Sequence, residues 1–202
     1  MAVRAILIWG ALGLAIAVPV TIAATSPLLQ WRQPVYVASG IAGVIAMTLL
    51  LVQPLLAAGY LPGMPMRRGR RLHLWVGATL VAAVVAHVAG LWVTSPPDVI
   101  DALLFASPTP FSAWGVVAMW ALFGAALIAI LRRPLQMRPL VWRVGHSALV
   151  GMVVVCSVVH AMLIEGTMGT ASKAVLCALA LAATAKALID LRAWGLLIRR
   201  HF

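Results

Sequence analysis

Histidines are the residues of this chain best suited to metal chemistry, and four of the five fall within two apolar stretches. His73 and His87 are 14 residues apart, and so are His146 and His160. At about 100° per residue, 14 residues turn an α-helix by roughly 1400°, about 40° short of four turns, and rise about 21 Å. Each pair therefore occupies one face of its helix at two depths. With one histidine from each helix at each depth, zinc is a poor fit to such a facing pair, because it usually takes three or four protein ligands. A b-type haem suits it well: the porphyrin supplies four nitrogens and leaves two axial positions for histidine. Ligation on both sides closes the iron to other ligands and favours outer-sphere electron transfer. A proton relay or an interhelical hydrogen-bond network is the alternative use of intramembrane histidines. His201 lies at the C-terminal end beside Arg200 and is assigned no role.

Composition identifies the elements that must position these side chains. Of 202 residues 64% are hydrophobic, and 15 Lys and Arg face only 4 Asp and Glu, for a net charge of +11. So few charges cannot cover a soluble surface of this size, which excludes a soluble enzyme, a disulfide scaffold and a disordered tail. The basic residues cluster between apolar runs, the pattern of membrane topology signals rather than of nucleic-acid binding. A bilayer core needs about 20 apolar residues per helical span. Six spans are expected, at roughly 5–25, 35–58, 72–94, 111–131, 140–164 and 172–192, in an all-α bundle forming one domain over 1–202. The first run exceeds a normal signal-peptide core, and no clean cleavage site follows it. Lys186 interrupts the sixth run, with Asp190 four residues on as a candidate partner. Cys156 and Cys177 fall inside apolar runs and read as buried free thiols.

Orientation follows from the basic residues. Arg67, Arg68, Arg70 and Arg71 lie between spans two and three; Arg132, Arg133 and Arg138 lie between spans four and five, with Arg143 just after. Arg192, Arg199 and Arg200 lie at the C-terminal end. The opposite connections hold Arg32 and Lys173 with Asp98, Asp101 and Glu165, so the positive-inside rule puts both termini in the cytoplasm. Spans three and five then run in the same direction. His73 is level with His146 near the cytoplasm, and His87 is level with His160 near the other face.

The surroundings are compatible with a cofactor. Gly77, Ala83, Ala86 and Gly90 on span three, and Gly145, Gly151 and Ser157 on span five, are small neighbours of the histidines, though small residues also serve helix packing. Arg70, Arg71 and Arg143 are candidates to meet haem propionates, a role compatible with setting topology. Asp98, Asp101 and Glu165 could attract a ferric ion or chelate on the far side, and simple interfacial solvation is the competing use. Met152, Met162 and Met168 read as packing or lipid-facing residues. No G-x-G-x-x-G or Walker loop occurs.

The segments Arg70-Arg71-Leu72-His73-Leu74-Trp75 and His87-Val88-Ala89-Gly90-Leu91-Trp92 resemble the ferric reductase-like transmembrane family, the membrane module of ferric reductases and NADPH oxidases. Trp142-Arg143-Val144-Gly145-His146 and Val159-His160 carry the same likeness, which spans roughly residues 55–170. The resemblance implies a six-helix bundle with two b haems between the third and fifth helices. It makes His73 and His146 the inner axial ligands and His87 and His160 the outer ones. Larger family members append a flavin- and nicotinamide-binding domain, whereas a short basic tail follows span six here. The implied electron donor is thus a separate flavoprotein, a flavin or a membrane quinol. The haem subunit of bacterial methionine sulfoxide reductase is a similar stand-alone case, with one haem as the alternative stoichiometry. The chain is expected to be a multi-pass inner-membrane oxidoreductase component, passing electrons to a periplasmic acceptor such as ferric iron, oxygen or a partner enzyme. A quinone-linked cytochrome b subunit or membrane anchor is the second reading. A histidine-based proton transporter, the third, predicts a colourless protein; Pro19 and Pro54 are its only mid-span prolines.

Overall fold

A computed structural model describes residues 2–191. Among these residues seven α-helices occur: α1 (Ala2–Ala24), α2 (Pro34–Ala58), α3 (Met66–Thr94), α4 (Pro96–Leu103), α5 (Pro110–Leu131), α6 (Pro139–Leu163) and α7 (Thr170–Asp190). All but α4 are long and apolar enough to span a bilayer, so the protein is an all-helical, six-span, multi-pass membrane bundle. Proline opens α2, α4, α5 and α6, where its missing N–H costs no helical bond and its fixed φ suits the first turn. Gly59 closes α2 in the left-handed conformation (φ 70°), which glycine adopts without a Cβ clash.

Three boundaries differ from the sequence expectation. Helix α3 begins six residues before the apolar run, so Arg67, Arg68, Arg70 and Arg71 wind onto its first turns rather than into a connection. Hydropathy reports the lipid-embedded length only, and arginine is a good helix former beyond it. The Pro- and Ser-rich segment after α3 contains α4, with Asp98 in its first turn accepting a hydrogen bond from the Ser95 hydroxyl at 2.5 Å. Lys173 lies not in a solvated connection but in the first turn of α7. There it is buried and its Nζ donates to the Ile164 carbonyl at 2.5 Å. That carbonyl is an unpaired group at the end of α6, so the ammonium finds a partner without a carboxylate.

Packing is arranged around two antiparallel hairpins. Helix α3 packs along α2, α6 packs along α5, and α7 joins the hairpins by resting on α2 and α6. Helices α3 and α6 have no packed interface of their own. The core consists of Val44, Met47, Leu50 and Leu51 of α2, Val153 and Val154 of α6, and Leu176, Cys177 and Ala180 of α7. Both cysteines are free and buried. Met168 is buried, while Met152 and Met162 face outward.

One end of the bundle is tied by polar contacts. Trp9 Nε1 donates to the Pro62 carbonyl at 3.2 Å, and the Tyr60 hydroxyl donates to Asp190 at 2.5 Å. Asp190 also pairs with Lys186 at 2.7 Å, the partnership expected from their i, i+4 spacing. The start of α1, the α2–α3 connection and the end of α7 therefore share one face. The arginines at the start of α3 and around the α5–α6 connection lie at that same end.

Candidate functional site: two levels of facing imidazoles

The four intramembrane histidines project from α3 and α6 into the space between the hairpins. At the level near the arginine-rich end, the ring centres of His73 and His146 are 6.4 Å apart, with planes at 77°. At the other level His87 and His160 each bond to the backbone of the neighbouring helix in their own hairpin. The structure thus sets His73 beside His146, the facing expected from their matched depths on parallel helices.

What orients the rings is supplied by α2 and α5, neither of which carries a histidine. His87 Nδ1 bonds to the Ser39 carbonyl at 2.8 Å, and His160 Nδ1 to the Phe111 carbonyl at 2.8 Å. His73 Nδ1 meets the Gln53 carbonyl at 3.3 Å, and the Gln53 amide lies against the same ring. His146 Nδ1 lies near the Ala125 carbonyl but falls short of hydrogen-bond geometry. Ser39 and Gln53 are 14 residues apart, as are Phe111 and Ala125. Each hairpin thus sets a backbone carbonyl beside a ring at two depths.

A carbonyl only accepts, so a ring bonded to it carries its proton on Nδ1 and leaves the Nε2 lone pair free. In an imidazole the two nitrogens point to opposite sides of the ring. With Nδ1 turned toward its own hairpin, Nε2 is presented to the space between hairpins. Metal-ligating histidines are typically held in this way, the second nitrogen donating to a carbonyl that fixes tautomer and orientation.

Glycines make room for this anchoring at the outer level. A Cβ on Gly43 of α2 would stand 2.9 Å from His87 Nδ1, and one on Gly115 of α5 would stand 2.7 Å from His160 Nδ1 and Cε1. Both distances are below any ordinary contact, so only glycine permits the rings to press onto the neighbouring backbone. By contrast, Gly77 and Gly90 of α3 accommodate Gln53 and Ser39, so these two serve the α2–α3 interface rather than space for a macrocycle. Gly151 of α6 faces open space.

The donor set fits an iron held by two imidazoles. With metal–nitrogen bonds of about 2.0 Å and roughly 1.2 Å from each nitrogen to its ring centre, two axial rings have centres about 6.4 Å apart, the separation of His73 and His146. Among the described residues no cluster of three or more His, Cys, Asp or Glu is present to hold a metal by protein ligands alone. A porphyrin would supply what such a cluster lacks.

Of the candidate propionate partners, Arg70 and Arg71 are exposed on the first turns of α3, and Arg143 donates to the Leu191 carbonyl at 2.8 Å. Asp98 and Asp101 are exposed on α4, and Glu165 is exposed between α6 and α7. Arg192, Arg199, Arg200 and His201 lie outside the described residues. Sequence reasoning missed the two glycines and the carbonyl anchors on α2 and α5. The only available signal was a glycine near each expected outer histidine depth on the preceding span.

Fold and site together define a six-span helical membrane protein with imidazoles at two levels, the outer two anchored to backbone carbonyls. Comparison with family models, curated proteins and solved structures finds no match for this chain.

Proposed function

We propose that the chain is a di-haem b-type membrane cytochrome, similar to the ferric reductase-like transmembrane family, that carries electrons across a bacterial-type inner membrane. The donor would be a cytoplasmic-side flavoprotein, flavin or quinol. The acceptor would be a periplasmic one such as ferric iron, oxygen or a partner enzyme. The observation that carries this reading is the anchoring of the outer imidazoles: 2.8 Å bonds to carbonyls hold the His87 and His160 rings with Nδ1 toward their own hairpins, while the His73 and His146 rings lie 6.4 Å apart at the other level.

In this reading His73 and His146 hold the inner haem and His87 and His160 the outer one. Arg70, Arg71 and Arg143 lie toward the cytoplasmic side, where they would compensate propionate charge. Haem bound at both levels would supply a one-electron relay across the bilayer. The residues of the chain do the rest. The Ser39 and Phe111 carbonyls hold the His87 and His160 rings with Nε2 unprotonated and turned to the space between the hairpins, and two imidazoles at each level would leave a bound haem iron no open position. The two levels are about 21 Å apart by helix rise, so they reach toward opposite faces of a core about 30 Å thick.

The test is a dithionite-reduced minus oxidised spectrum of detergent-purified protein, with haem quantified per polypeptide. A b-type spectrum with two haems per chain is expected. Folded protein that stays colourless when expressed with haem available would overturn the reading in favour of a proton-coupled role. One haem per chain would overturn the two-level assignment alone.

A further inference from the structure

The two levels are not held alike. At the outer level both Nδ1 atoms make 2.8 Å bonds to carbonyls. At the inner level His73 has a 3.3 Å contact, and His146 falls short of a bond. What lies against His146 is Trp142, one turn earlier on α6, its ring 5.5 Å away and 12° from parallel. The indole is covered in turn by the guanidinium of Arg132, whose Cζ is 4.1 Å from the ring centre. Trp142 Nε1 is buried with no hydrogen-bond partner among the described residues. The indole is therefore held by its faces and not by its N–H. No other ring of the four has a parallel aromatic neighbour among those residues; Phe111 meets His160 edge-on at 70°.

We propose that Trp142, held under Arg132, is a positioning residue that sets the plane of His146 and makes the inner centre the higher-potential one of the pair. This inference rests on the di-haem reading above. Two effects act in the same direction. A full Nδ1–H to carbonyl bond makes an imidazole a stronger donor and favours the oxidised metal, and the inner ligands have the weaker bonds. Reduction adds one negative charge to the centre, and a guanidinium fixed nearby by its indole favours that added charge. Trp142 supplies by stacking the orientation that the carbonyls supply elsewhere. The Arg132 charge reaches the site through the contact that holds the indole.

The test is a redox titration of the purified full-length protein followed by absorbance, with low-temperature EPR of the ferric form. Wild type should resolve two one-electron components. R132Q should lower the higher component and leave the other in place. The expected change is about three- to tenfold in the reduced-to-oxidised ratio at fixed potential, a tenfold change being about 59 mV. W142A should alter the low-spin ferric signal of that same centre, and W142F, which keeps a stacking ring, should largely restore it. Arg132 is exposed on the surface, so R132Q tests the idea even where W142A does not fold. Two components that both ignore R132Q, both move together, or move only at the lower potential would overturn this inference while leaving the di-haem reading intact. Folded wild type without haem would overturn both.

Discussion

Replacing Gly115 by alanine places a methyl group where the structure has an imidazole. The new Cβ would stand 2.7 Å from Nδ1 and Cε1 of His160, whereas ordinary contact begins near 3.4 Å, so the ring must retreat by about 0.7 Å. His160 cannot retreat freely, because the same Nδ1 is bonded to the Phe111 carbonyl at 2.8 Å, one turn before Gly115 on α5. A shift of that size takes the bond to about 3.5 Å, beyond hydrogen-bond range. Overpacking costs about 1–3 kcal/mol and the lost bond about 1 kcal/mol, giving roughly 2–4 kcal/mol in all. The ring would also lose the tautomer and direction that present Nε2. G115A should therefore retain about one haem per chain instead of two and melt at a lower temperature in detergent. Gly40→Ala is the matched control: it lies on a helix face with nothing within 4 Å, where alanine should be neutral or slightly stabilising. Pyridine haemochrome quantification and a melting curve on both variants decide the matter. Two haems and wild-type melting in G115A would refute the idea that this glycine exists to seat the histidine.

Three further outcomes follow from the same geometry. His87→Ala or His160→Ala should remove the outer haem and leave the inner, read as one haem per chain; loss of both from a stably inserted protein would count against independent pairs. Ser39→Ala removes the hydroxyl that donates to the His87 carbonyl at 2.6 Å but keeps the Ser39 carbonyl that holds the ring. It should cost about 1 kcal/mol of stability in a melting curve with haem content unchanged. Lys173→Met leaves the Ile164 carbonyl without its donor and should destabilise the fold by about 1–3 kcal/mol in the same assay.

Much of this protein is set by its sequence alone. Six apolar runs of spanning length dictate six helices, because a backbone in lipid must satisfy its own hydrogen bonds. Two 14-residue intervals dictate that the two histidines of one helix share a face. The tertiary structure decided the rest. Every residue has a carbonyl, so nothing in the letters marks Ser39, Gln53, Phe111 and Ala125 as partners of histidine rings; the register of two antiparallel hairpins selects them. Gly43 and Gly115 look like any small residues in membrane helices until that register sets an imidazole against them, while Gly77 and Gly90 prove to serve helix packing. Lys173 reads as a connection charge because hydropathy cannot see the carbonyl at the end of α6 that accepts its hydrogen bond. Local periodicity fixes which way a side chain leaves its helix, but which neighbour it meets depends on how one helix slides along the next.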